Sequence, residues 1–374
     1  MVGESKAPGL EISPPIMMRP SKLVLTRRLA ETLVFAAAVG AAFGLPGLPA
    51  GWLSGAILFT AAAALAKRPV YVPQILASIT FVVLGISLGA AVTPDVVDRI
   101  ATWPVSMIVL ALAMSCSTCA VAVYLNRVHG WDSMSSLFAA APGALSQALA
   151  LAADTSADLR SVAIVQSVRV LVLAVVLPLV IAGLGMAGAP PAPLPLPPLR
   201  ESLGELALLV MVSTAAALIA YRVGLPGGLI IGAMLTSGML HGTGVVRFNL
   251  PPAIIIASFV ALGALIGSRF LGTDLIRLRQ LFTASFGALL VGMTVAGAFA
   301  AATAWALSLN FADVLVAYAP GGLEAMTILA FALNLDPAFV GAHHLWRFLY
   351  VSVMMPVAVA YLARLRQVSE DKAE

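Results

Sequence analysis

The sequence predicts an all-α polytopic membrane protein with about 10–12 transmembrane segments in two homologous repeats, each holding a helix interrupted by Pro-Gly. Three observations predict it: composition, the recurrence of apolar runs, and a near-repeat of the first half in the second. Of the 374 residues, 61% are hydrophobic and 10% charged, whereas a soluble domain carries about 25% charged residues. Apolar runs at 29–45, 49–66, 73–92, 104–125, 135–153, 161–186, 203–221, 226–240, 251–271, 281–308, 312–333 and 339–363 mostly have the length a helix needs to cross a hydrocarbon core of roughly 30 Å. The shorter and interrupted ones are expected to dip into the membrane without crossing it.

The net charge is +4 with a pI near 9.3, but the cations cluster at segment ends and read as topology signals rather than a nucleic-acid surface. Lys22, Arg27 and Arg28 precede the first run and assign the N-terminus to the cytoplasm, and Lys67 and Arg68 agree two runs later. Thr26-Arg27-Arg28 before an apolar run also fits a twin-arginine export signal, yet that run has a counterpart later in the chain, which a cleaved signal would lack. Cys116 and Cys119, the two cysteines, are spaced C-x-x-C. They fall inside a predicted helix without a flanking strand, so they are read as small packing residues and not as a redox or metal pair.

The repeat is visible without gaps. GLPAGWLSGAIL (47–58) matches GLPGGLIIGAML (224–235) at seven of twelve positions, offset by 177. FVVLGISLG (81–89) matches FVALGALIG (259–267), and Ala141-Pro142-Gly143-Ala144-Leu145 matches Ala319-Pro320-Gly321-Gly322-Leu323, both offset by 178. Asp158 and Asp336, Arg169 and Arg347, and Pro178 and Pro356 keep the same offset. The expected organisation is a polar cytoplasmic arm (1–28), membrane repeat 1 (29–186), a Pro-rich linker (187–202), membrane repeat 2 (203–365) and a charged tail (366–374). Glycines four apart, Gly51/Gly55 with Gly228/Gly232 and Gly85/Gly89 with Gly263/Gly267, are expected to let helix backbones approach closely.

Candidate functional residues gather at the two broken segments. Proline removes a backbone donor and glycine loosens the chain, and the freed polar groups must then face protein or water. Paired breaks of this kind point to a transporter site near the membrane midplane. The site residues expected are Pro142, Gly143, Ser146, Gln147 and Arg169 in the first half, and Pro320, Gly321, Gly322, Glu324, His344 and Arg347 in the second. Glu324, in the first turn after the break, is the candidate coupling or counter-charge group, with a structural ion pair to an arginine as the alternative. His344 is a candidate proton relay. Arg169 and Arg347 are read as anion contacts, as repeated salt bridges, or as side chains snorkelling to the interface. Asp158 and Asp336 sit where N-terminal helix caps belong. Four histidines in the chain, two of them adjacent, give no convincing metal set, and no cofactor is expected.

The repeated GLP-x-G-x-x-x-G-A, the repeated APG and the HHLWR near the end of the second half resemble the AbrB family of bacterial integral membrane proteins, over about residues 29–365. The small soluble DNA-binding regulator of the same name is a different protein. The resemblance implies a multi-pass protein of the bacterial inner membrane, and two inherited labels: regulator of gene expression, and ammonia monooxygenase. No soluble domain is available to hold a helix in a DNA groove, and no histidine set suits a copper or iron oxygenase. The residues favour secondary transport of a small anionic or zwitterionic solute. The alternative is a membrane-embedded regulator acting indirectly or through a partner, and an enzyme comes third. Expected partners are the lipid bilayer and a small solute or coupling ion, with no direct nucleic acid; self-association is left open.

Overall fold

The computed structural model describes residues 21–90, 103–141, 155–188 and 203–370. Among the described residues the secondary structure is helical, with no strand. The helices are α1 (Lys22–Gly44), α2 (Gly51–Leu65), α3 (Gln74–Gly89), α4 (Trp103–His129), α5 (Ser133–Ala140), α6 (Leu159–Gly183) and α7 (Leu203–Arg222). They continue with α8 (Gly228–Gly242), α9 (Pro252–Ser268), α10 (Leu275–Leu307), α11 (Phe311–Tyr318), α12 (Leu323–Ala332) and α13 (Pro337–Glu370). By length and composition α4, α6, α7, α10 and α13 are able to cross a membrane, and α2, α3, α8, α9 and α12 are shorter apolar helices.

The interruptions fall where proline and glycine dictate. The run 312–333 is two helices, α11 and α12, separated by Ala319-Pro320-Gly321-Gly322. The run expected at 135–153 begins as α5 and stops at Ala140, and positions 142–154 lie outside the described residues.

The short helices α2, α3, α8 and α9 are held together by glycine contacts. A Cβ on Gly85 of α3 would lie 2.5 Å from the Ile230 carbonyl of α8, and one on Gly263 of α9 would lie 2.8 Å from the Leu53 carbonyl of α2. Gly267 likewise meets Ile57 and Thr60 of α2. Gly55 of α2 packs on Val39 and Gly40 of α1, and Gly232 of α8 on Ala216 and Ala217 of α7. In a membrane such contact between backbones, and not apolarity, drives helix association. The closest packing therefore joins helices from opposite ends of the chain, α3 with α8 and α2 with α9.

Two bodies result. One is formed by α1, α2, α3, α7, α8 and α9, and the other by α4, α5, α6 and α10 to α13. The boundary is aliphatic and aromatic: Leu323 against Gly227, Met234 near Gly341, and the rings of Phe259 and Phe331 6.3 Å apart. Among the described residues a single hydrogen bond joins helices across it, from Ser54 Oγ to the Ala174 carbonyl at 3.5 Å. Cys116 and Cys119, expected as packing residues, are both exposed on α4, because the buried face of that helix carries Ala113, Met114, Ser117 and Thr118 instead.

Gly267→Ala would set a methyl 2.7 Å from both Thr60 Cβ and the Ala61 nitrogen, and overpacking of this kind costs about 1–3 kcal/mol. Its melting temperature in detergent should fall by several degrees. Gly204→Ala, with no atom within 4 Å of the new methyl, should melt like the wild type.

Candidate functional site

The helices α5 and α11 are each started by a side-chain cap and end just before an Ala-Pro pair. Asp132 accepts the Ser135 amide at 2.9 Å to open α5, and Asn310 accepts the Ala312 amide at 2.8 Å to open α11. Ala141 and Ala319, each before a proline, leave the helical region with ψ near 121° and 135°, as the proline ring demands of its predecessor. The last carbonyls of both helices are thereby left without amide partners, deep in the protein.

Two arginines meet them. Arg169 of α6 donates from Nη2 to the Ala141 carbonyl at 3.0 Å and from Nη1 to those of Ala139 and Ala140, both at 3.4 Å. Arg347 of α13 donates from Nη1 to the Ala319 carbonyl at 2.5 Å and from Nη2 to Gly321 and to His344 Nδ1. The side chains are 6% and 2% exposed, so neither snorkels to an interface. Nor is either in a salt bridge: among the described residues the ion pairs are Arg27–Glu31 and Arg277–Asp158. Arg169 Nε is buried with no hydrogen-bond partner.

The polar neighbours of both arginines are arranged alike. Gln166 donates to the Phe138 carbonyl at 2.8 Å, and His344, 178 residues on, bonds the Val316 carbonyl through Nε2 at 3.1 Å. A carbonyl only accepts and a guanidinium only donates, so His344 is a neutral ring with its hydrogen on Nε2. Both its nitrogens are thus engaged in bracing Arg347, and neither is left for the relay role expected of it. The Asp158 amide donates to Ser135 Oγ, and the Asp336 amide to Asp313 Oδ1, each at 2.8 Å.

Glu324 lies in the first turn of α12 and is half-buried. It forms no ion pair among the described residues, so the alternative of a brace with an arginine is not what this site contains. Pro320, Gly321 and Gly322 form the break itself, with the Gly321 carbonyl turned to Arg347. Pro142, Gly143, Ser146 and Gln147 lie outside the described residues. A cleft of about 650 Å³ lies elsewhere, between α1 and α2, lined largely by Phe35, Phe59 and alanines.

A second buried polar group was only partly legible in the sequence. His343 is fully buried, with Nε2 2.7 Å from Ser106 Oγ, and Tyr318 donates to the Ser106 carbonyl at 2.5 Å. Ser106 is 237 positions from His343 in the chain, and a lone serine in an apolar run carries no signal of such a contact.

Asp158 and Asp336 cap α6 and α13. Asp158 accepts the amides of Arg160 and Ser161 and pairs with Arg277 at 2.5 Å, while Asp336 accepts those of Ala338 and Phe339. Partial burial works to raise the Asp158 pKa, but its bonds to the Ser161 hydroxyl and amide, the Arg277 charge and the Arg160 amide together hold it below 3.8. A carboxyl with a depressed folded-state pKa contributes stability above its unfolded value and loses it as pH falls through the folded one. Asp158→Asn keeps a capping oxygen and removes the charge. Its melting temperature should lie below wild type at pH 7, and the gap should narrow as the pH drops below about 4.

Buried helix breaks stoppered by arginines, within a shell of apolar helices, define a polytopic α-helical membrane protein with a cationic interior. The family model described as "Transition state regulatory protein AbrB" matches residues 11–363. The chain belongs to that family. A protein of Escherichia coli (strain K12) named "Putative regulator AbrB" is 24% identical to it over 293 residues, covering 75% of this chain and 81% of that one.

Proposed function

We propose that this protein is a secondary transporter of a small anionic solute in the bacterial cell membrane, with its N-terminus in the cytoplasm and its two halves related by duplication. One observation carries the reading: Arg169 and Arg347 are both buried and have no carboxylate partner among the described residues. Uncompensated charge in such a setting is costly. A solute carboxylate or phosphate would relieve it, and guanidinium is the side chain best shaped to bind either. The partnerless Nε of Arg169 is a donor for that solute. Glu324, in the first turn of α12 and in no ion pair among the described residues, would be the group to take a coupling cation.

The two-body packing supports alternating access. Glycine contacts lock one body, whereas the boundary between the bodies is smooth and joined by one long hydrogen bond. Relative sliding would break few polar interactions, and the arginine site would move with its own body. Duplication is supported by the recurrence of capping, carbonyl and glycine contacts at offsets of 177 and 178. A regulatory role, the one that the name of the Escherichia coli relative carries, would follow indirectly if transport changed the level of a cytoplasmic metabolite.

Lactate, succinate, glutamate and inorganic phosphate, tested by thermal shift on detergent-purified protein, should include one that stabilises the wild type. Arg347→Gln should weaken that ligand tenfold or more, since a hydrogen bond to a charged group contributes about 1.5–3 kcal/mol. Stabilisation by none of the four, or equal stabilisation of the variant, would refute the reading. For the sliding boundary, Ser54→Cys with Ala174→Cys, in a background carrying Cys116→Ala and Cys119→Ala, should lose uptake into proteoliposomes on oxidation and recover it on reduction.

A further inference from the structure

We infer that His343 is a proton-binding site that couples the proton to the anion, making the protein a proton–anion symporter; this rests on the transporter reading above. The inference comes from counting hydrogens around a buried ring. His343 Nδ1 lies 2.8 Å from the Phe339 carbonyl, an acceptor only, so Nδ1 carries a hydrogen. Nε2 lies 2.7 Å from Ser106 Oγ, and the same Oγ lies 2.9 Å from the Trp103 carbonyl. With a neutral ring, the one hydroxyl hydrogen of Ser106 has two acceptors to serve, Nε2 and the Trp103 oxygen. With a proton added to Nε2 the ring donates to Ser106 and Ser106 donates to Trp103, and every contact has its hydrogen.

The backbone carbonyl of Ser106 is spoken for by the Tyr318 hydroxyl at 2.5 Å, whose oxygen lies 3.3 Å from Thr303 Oγ1. Thr303 in turn donates to the Phe299 carbonyl at 2.8 Å. Among the described residues, the groups bonded to or stacked on the ring from other helices are uncharged: α4 contributes Ser106 and Trp103, and α11 contributes Tyr318. On α13 its neighbours are the neutral His344 and, one turn along, Arg347. Asp313 and Asp336, at the starts of α11 and α13, line a small cavity with Trp103 and Phe339, the two residues whose rings also pack on His343.

An anion held on Arg347, one helical turn from His343, brings a negative charge toward the ring, so the proton and the anion stabilise each other's binding. By linkage the anion must then bind more tightly at lower pH. His344 has no share in this, because its second nitrogen already accepts from Arg347.

The test is proton uptake on ligand addition, followed with an indicator dye in weakly buffered detergent, using whichever of lactate, succinate, glutamate or phosphate stabilises the protein most. Wild type should take up about one proton per chain, in excess of any taken up by the ligand itself, and its affinity for the anion should rise as pH falls. His343→Gln should bind the anion with no proton uptake and with a flat pH profile. Ser106→Ala, which keeps the ring and removes its acceptor, should shift the pH profile of binding downward by roughly one unit, a tenfold change in proton affinity. An anion that binds wild type without proton uptake, or uptake unchanged in both variants, would overturn the coupling and leave the transporter reading standing. Should none of the four bind at any pH, both fall together.

Discussion

A peptide carbonyl buried without a donor costs several kcal/mol in an apolar surround, and this protein places two sets of them in its interior by ending α5 and α11 at Ala-Pro. The guanidiniums of Arg169 and Arg347 are what makes those helix ends tolerable. Each arginine forks across two or three carbonyls, Arg169 those of Ala139 to Ala141 and Arg347 those of Ala319 and Gly321, which a lysine, with a single nitrogen, would not span. The interruption, the arginine and the polar residue one turn before it, Gln166 or His344, form one unit that stands or falls together.

The solution to the backbone problem creates an electrostatic one. The C-terminal end of a helix carries roughly half a negative charge, so two short helices offset only about half of two guanidiniums, and the N-terminal end of α12 adds positive potential. The site is cationic as built. In water such a balance would matter little, but within an apolar shell it makes an anion the natural guest. His343, a buried ring, lies one turn from Arg347 on the same helix.

The packing around the site divides by chemistry. Where glycines let backbones touch, as in α3 on α8 and α2 on α9, relative movement would meet carbonyls and Cβ atoms at close range. Where the two bodies meet, the contacts include Leu323 on Gly227, Met234 near Gly341 and the ring of Phe259 near that of Phe331. The arginines and the His343 group all belong to the second body, whose internal hydrogen bonds, among them Tyr350 to Ser115 and Trp346 to Met107, tie α13 to α4.

Much of this was written in the order of residues. Membrane residence follows from apolar length, because the bilayer imposes a single thickness on every helix that crosses it. The helix break at Pro320, the caps Asp158 and Asp336, the close-packing glycines and the paired arginines were all legible, since each depends on local backbone chemistry or on comparing one half of the chain with the other. The identity of each partner was not. Nothing in the sequence assigns Gly85 to Ile230, Ser106 to His343, or Arg347 to the carbonyls of a broken helix instead of to Glu324, because those pairings join residues far apart in the chain. They were decided by which apolar faces pack together, and in an apolar chain many faces are alike; only the tertiary structure, where shape and hydrogen-bond satisfaction must be met at once, selects among them.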